Sequence, residues 1–120
     1  MLSPINTALS GLAAANKRIA VSASNIANQF SKDYVPKRVD QVSLSAGAIQ
    51  SLVRDVEPAT VTIFDPSDPD AAPDGSVQFP NVDLANELVN QMIASYDFKA
   101  NLKSIKVADN IQKSLLDVFS

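Results

Sequence analysis

The sequence predicts a mainly α protein. Long N- and C-terminal helices are expected to pack as a coiled-coil-like pair, joined by a short β-hairpin and loop middle segment. Three observations carry this. Ile5, Leu12, Ile19 and Ile26 recur at the seven-residue spacing of a helical stripe. The stretch from Asp83 to Ser120 contains neither Pro nor Gly. All prolines except Pro4 lie between Gln29 and Pro80, where they interrupt helix. The expected division is 1–30 for the first helix, 31–80 for the middle and 81–120 for the second helix.

The first helix is expected from about Pro4 to Asn28. Ser3 stands at the N-cap and Pro4 at the first helical position. Its stripe is flanked by Ala8, Gly11, Ala13, Ala14, Ala20 and Ala27, which let another helix approach closely. Gly11 costs about 1 kcal/mol of helix propensity relative to Ala, so a close contact there would offset it.

In the middle, Tyr34–Leu44 and Leu52–Phe64 alternate apolar and polar residues and read as two short strands that could pair as a hairpin. Val56-Glu57-Pro58 breaks the second, so pairing should begin near Ala59. Asp65–Gly75 lacks an apolar anchor and reads as a loop, mobile unless a partner holds it. Asp74-Gly75 signals a tight turn.

Asp83 is a good N-cap for the last helix, and Glu87 suits its positive end. The apolar residues there form two stripes. Leu84, Leu88, Met92, Ser95, Phe98, Leu102 and Ile105 share one side. Val89, Ile93, Tyr96, Ala100, Val107, Ile111 and Val118 share another, about 150° away at 100° per residue. A surface helix needs one stripe. Two imply neighbours on both sides, as in a packed tube, unless the tail folds back on itself as an ordinary bundle.

Composition excludes several classes. The chain has 120 residues and a formal net charge of −3. Lys37-Arg38 with nearby Lys32 is its closest approach to a basic cluster, so nucleic acid is not an expected partner. With no Cys and no His, thiolate and imidazole chemistry and the commonest transition-metal ligands are absent. The acidic loop Asp65, Asp68, Asp70 and Asp74 fails the helix–loop–helix calcium template: no Gly stands sixth from Asp65, and Ser76 takes the place of the bidentate Glu. No glycine-rich phosphate loop and no apolar pocket for paired carboxylates are evident. We therefore expect no catalysis, no cofactor or metal, and no small-molecule substrate. No apolar run reaches membrane-span length, so direct membrane insertion is not expected. Lys17 and Arg18 interrupt the segment where a cleaved signal peptide would need its apolar core.

Two segments resemble a known family. Ser10-Gly11-Leu12-Ala13-Ala14-Ala15-Asn16, continuing to Ala23-Ser24-Asn25-Ile26-Ala27-Asn28, is similar to the N-terminal signature of bacterial flagellar rod and hook proteins. Gly75-Ser76-Val77-Gln78-Phe79-Pro80-Asn81-Val82-Asp83 resembles the G-x-V-x-x-P-N-V-D segment of the short proximal-rod proteins. Glu87, Met92, Ala94-Ser95 and Ala100-Asn101 fit the helix that follows, so the matches together cover both terminal helices, about half the chain. Two departures stand out. Ser67-Asp68-Pro69 replaces a Gly-His-Pro step, and Ser31-Lys32-Asp33-Tyr34 lacks the Gly of a Thr/Ser-x-Gly-Tyr element.

The resemblance implies a structural subunit of the basal-body rod in the periplasm. It would be exported by the flagellar type III apparatus without a cleaved signal, and would stack helically with copies of itself and other rod proteins. The expected packing residues are Leu12, Ile19 and Ile26 against Leu88, Met92, Phe98, Leu102 and Ile105, with Ile111 on the second stripe. Asn25 and Asn28 are candidates for closing helix ends, bonding across subunits or simple C-capping. Asn101, mid-helix, is read as a buried polar contact, with exposure the alternative. The motif residues are Gly75, Val77, Pro80, Asn81, Val82 and Asp83. The rival reading is a soluble helical adaptor or chaperone-like binding module.

Overall fold

A computed structural model describes residues 2–119; the side chains of Leu2, Ser3 and Ala46 lie outside the described set. Helix α1 spans Leu2–Ala27 and helix α2 spans Leu84–Phe119. Four strands lie between them: β1 (Lys37–Ser43), β2 (Ile49–Asp55), β3 (Thr60–Phe64) and β4 (Ser76–Pro80). Because α1 already begins at Leu2, Ser3 falls within the helix rather than before it, and the expected side-chain cap is outside the described residues. At the other end the Asp83 cap forms as the sequence implies: Asn86 N–H donates to Asp83 Oδ1 at 3.1 Å.

The strand pairing differs from the expected hairpin. The second predicted strand region divides at Val56-Glu57-Pro58: its first part, 52–55, pairs with the first region as expected, while the part from Thr60 finds another partner. β1 pairs antiparallel with β2, from Lys37↔Asp55 to Ser43↔Ile49. β3 pairs antiparallel with β4, from Thr60↔Pro80 to Phe64↔Ser76. The physical reason lies in the turns. A short 3₁₀ turn at Ser45–Gly47, with Gly47 at φ +80°, reverses the chain before residue 49. Pro58 then ends the first hairpin, and β3 must pair across the acidic loop.

Hairpin β1–β2 lies along α1. Lys37 N–H donates to Asn25 Oδ1 near one end of α1, and Ile49 N–H donates to Ser10 Oγ nearer the other. Seven strand residues rise about 23 Å and fifteen helical residues about 22 Å, so strand and helix match in length. Hairpin β3–β4 sits beyond the C-terminal end of α1, where Phe30 and Phe79 meet edge-to-face at 6.5 Å.

The helices run antiparallel and the molecule is long. Its radius of gyration is 20.8 Å and its extents are 79 × 24 × 16 Å; a compact domain of this length would have a radius near 14 Å. Among the described residues, no helix is long and apolar enough to cross a membrane.

Candidate functional site: the helical seam and its open flanks

The seam between α1 and α2 is built from small residues. On α1, Ala8, Gly11, Ala15 and Ser22 are buried; on α2, Ala94 is fully buried. Around Ala94, and apart from Ser95 beside it, the most covered α2 residues are Glu87, Gln91, Phe98, Asn101, Ile105, Ala108 and Gln112. Their alternating steps of three and four are those of a coiled-coil seam. Asn101 lies against Gly11, so closely that a Cβ there would be 2.5 Å from Asn101 Oδ1. Its Nδ2 donates to Asp97 O at 2.8 Å. Asn101 is thus a partly covered contact of the helix pair.

Polar contacts set the register. Ser22 Oγ donates to Glu87 O at 2.9 Å. Arg18 reaches Asp97 at 3.4 Å and Asn90 Oδ1 at 3.3 Å. Asn25 is the hub, 0% exposed. Its Nδ2 donates to Lys37 O at 2.6 Å and Glu87 Oε1 at 2.7 Å. Its Oδ1 accepts from Tyr34 Oη–H at 2.8 Å and Lys37 N–H at 3.0 Å. All four hydrogen-bonding positions of the amide are filled, and one side chain joins both helices, hairpin β1–β2 and the connector. Asn28 is simpler: its Nδ2 donates to Ser24 O at 2.9 Å, a local end-closing bond.

The aliphatic stripes flank this seam. Leu12, Ile19 and Ile26 are half-buried along α1, while Phe98 and Ile105 are half-buried on α2. Leu88, Met92, Leu102 and Ile111 stand roughly half exposed, Met92 at 59%. Val89, Ile93, Tyr96 and Val107 are exposed on the other flank, which Ile111 shares. The middle segment shields neither stripe, because hairpin β1–β2 lies on α1. Sequence periodicity located the stripes but missed the line of the seam, which takes Phe98 and Ile105 from the edge of the first stripe and leaves Leu88, Met92 and Leu102 outside it. The signal available was the run of small residues at Ala8, Gly11, Ala15 and Ser22, spaced three, four and seven apart.

The motif residues build the entry to α2. Gly75 has φ +81°, which favours glycine, and the exposed Phe64 ring lies over the space a Cβ would take. Val77 and Pro80 are buried. Asn81 N–H donates to Ala59 O and Asn81 Nδ2 to Pro58 O, both at 2.9 Å. Val82 N–H donates to Pro80 O at 2.8 Å, and Asp83 caps the helix.

The acidic loop is held by its own chain, contrary to the expectation of a loop that needs a partner. Asp65, Asp68 and Asp74 each accept a backbone N–H two residues on. Lys32 Nζ bridges Asp68 and Asp70 at 2.7 Å each. The hydrogen bond from Lys32, then the Asp70 N–H, hold the Asp68 carboxyl below its ordinary value. Asp68, then Asp70, raise Lys32. Ser76 lowers Asp74 through its hydroxyl and its N–H. The described residues contain no cluster of three or more metal-ligating side chains.

A slender helical hairpin, closed along one seam and apolar on both flanks, defines a class of subunit completed by its neighbours. Comparison with known proteins gives the particular family. Residues 74–118 match the flagellar basal body rod FlgEFG protein C-terminal family. The chain is 32% identical to the flagellar basal-body rod protein FlgC of Salmonella typhimurium over 129 aligned positions, covering 97% of this chain and 96% of the relative. It is 33% identical to FlgC of Yersinia enterocolitica, covering 97% and 92%. Its identity to FlgC of Bacillus subtilis is 26%, covering 95% of each. The chain belongs to the flagellar basal-body rod protein family.

Proposed function

We propose that this chain is a structural subunit of the flagellar basal-body rod, assembling helically with copies of itself and other rod proteins to carry torque through the periplasm. The observation that carries this reading is that α2 keeps apolar residues exposed on both sides of a seam already filled by α1. Isolated helices with such flanks are marginal in water and gain stability when neighbours cover them. Leu88, Met92, Leu102 and Ile111 are the residues we assign to those neighbours, with Leu12, Ile19 and Ile26 along the α1 side. Asn25, Asn28, Phe98, Asn101 and Ile105 hold the helix pair that presents them.

The role is mechanical rather than catalytic, and the chain uses no cofactor. Export by the flagellar type III apparatus without a cleaved signal peptide completes the reading, which places the protein in the periplasmic rod. A soluble adaptor is disfavoured because the exposed apolar residues lie on both sides of the seam rather than on one binding face. Circular dichroism and sedimentation across a concentration series test the proposal, together with fractionation of basal bodies. A rod subunit gains helix as it associates and co-fractionates with basal bodies. A dilute monomer with rigid, protease-resistant termini that never enters basal bodies would overturn the reading.

A further inference from the structure

Helix α2 repeats a coiled-coil pattern on the edge it turns away from α1. Val89, Ile93, Tyr96, Ala100, Lys103 and Val107 follow steps of four, three, four, three and four. All six are exposed, Tyr96 at 68%. Helix α1 carries the same steps on its own outer edge, where Leu9, Ala13, Asn16, Ala20, Ala23 and Ala27 are exposed. Each run is about 27 Å long. The α2 edge is mostly bulky and the α1 edge mostly small.

Opposite charges flank the two edges on matching sides. Lys17 lies seven residues from Ser10, whose hydroxyl bonds hairpin β1–β2. Asp97 lies seven from Asn90, which lines a cleft shared by α1, α2 and β1. Both therefore border their edge on the hairpin side. Lys17 is exposed and has no ion-pair partner among the described residues. Asp97 meets Arg18 of its own chain at 3.4 Å yet stays 51% exposed.

We propose that the outer edge of α2 in one copy seats antiparallel on the outer edge of α1 in a second copy. Tyr96 lies on Ala20, Ile93 on Ala23 and Val89 on Ala27, while Leu9 meets Val107 and the Lys103 stem crosses Ala13. Asp97 then comes beside Lys17 of the second copy, and Met92 comes beside its Ile26 on the opposite border. Charge selects this occupant. Pairing two α1 edges antiparallel would oppose Lys17 to Lys17, and pairing two α2 edges would oppose Asp97 to Asp97. The contact joins unlike surfaces, so it repeats without closing on a pair. In the seam Gly11 is level with Asn101; across this contact it is level with residue 105 of the neighbour. Each copy therefore stands about 6 Å further along than the last. The inference rests on the rod-subunit reading and names the surfaces that neighbouring copies share.

The chain contains no Cys, which gives disulfide mapping a clean background. Ala23 and Ile93 are exposed on opposite edges, so a bond between them must join two chains. Circular dichroism checks that each variant keeps the parent fold. Mixing Ala23→Cys with Ile93→Cys under mild oxidation is expected to give 23–93 heterodimers, and the double variant a ladder of dimers, trimers and longer species. Adding Ala20→Leu to the first chain should cut the yield several-fold, and adding Tyr96→Ala to the second should restore it. Predominant 23–23 or 93–93 products, a yield indifferent to Ala20→Leu or not restored by Tyr96→Ala, or no cross-link at all overturns the contact. Cross-linking within purified basal bodies separates this inference from the rod reading. Chain present without the 23–93 bond removes the contact alone; chain absent while the ladder forms in solution removes the rod reading alone.

Discussion

Asn101 of α2 occupies the space that a side chain on Gly11 of α1 would need. A Cβ at residue 11 would stand 2.5 Å from Asn101 Oδ1 and 2.6 Å from its Nδ2. Gly11→Ala should therefore destabilise the helix pair by about 1–2 kcal/mol, despite a gain of about 1 kcal/mol in helix propensity. Urea unfolding followed by circular dichroism reads the change. Adding Asn101→Ala should recover most of the loss; if Gly11→Ala is stabilising on its own, the close approach is not real.

Removing the Asn25 amide should be costlier. Asn25→Ala leaves the Lys37 N–H and C=O, the Tyr34 hydroxyl and the Glu87 carboxylate without their shared partner. A loss of about 2–4 kcal/mol is expected. Limited proteolysis should show hairpin β1–β2 loosening first, because it loses its tie to the end of α1.

The loop 65–75 should respond to acid and to strong base. Asp68 is held below its ordinary 3.8, so its contribution is complete above that value and is lost as pH falls through the lowered one. Lys32 is raised above its ordinary 10.5, so its contribution is complete below that value and is lost as pH rises through the raised one. Protection from hydrogen exchange at Ala71 and Gly75, whose amides close the loop, taken relative to the unstructured rate at each pH, should hold between these limits and fall outside them. Lys32→Ala should give the same fall at neutral pH.

The two kinds of apolar residue on α2 should separate by assay. Met92→Gln and Leu102→Gln change exposed positions and should shift the unfolding of the isolated chain by no more than about 0.5 kcal/mol, yet sharply reduce recovery with basal bodies. Phe98→Ala, in the covered seam, should cost the isolated chain about 2–3 kcal/mol. Equal effects of all three substitutions on the isolated chain would mean that the flanks are part of its own core.

Much of this was readable from the residues. The lack of helix breakers after Asp83 gave α2, and Asp83 itself gave its start. The turn at Gly75 followed from Asp-Gly chemistry, and the position was confirmed by a positive φ. Strand partners were harder, because β3 pairs across an eleven-residue loop with a strand that begins at Ser76, and alternation alone does not choose partners. The seam was hardest. Apolar periodicity finds the greasiest side of a helix, but a side buried by a sister helix and one buried by another molecule have the same composition. Here the intramolecular side is the small one, marked by Gly11 and Ala94 rather than by Leu88 or Met92. Tyr34 shows the same limit: its apolar ring suits a strand, while its hydroxyl serves a buried amide one connector away.

The glycine and alanine of the seam have a geometric consequence for crowding. By bringing the two helix axes close, they keep the body to 24 × 16 Å in section. In the helical assembly proposed above, such a slat would stand beside others like a stave in a cask. Widening the plank with a bulkier residue at position 11 would be felt around the whole circumference, once for every board.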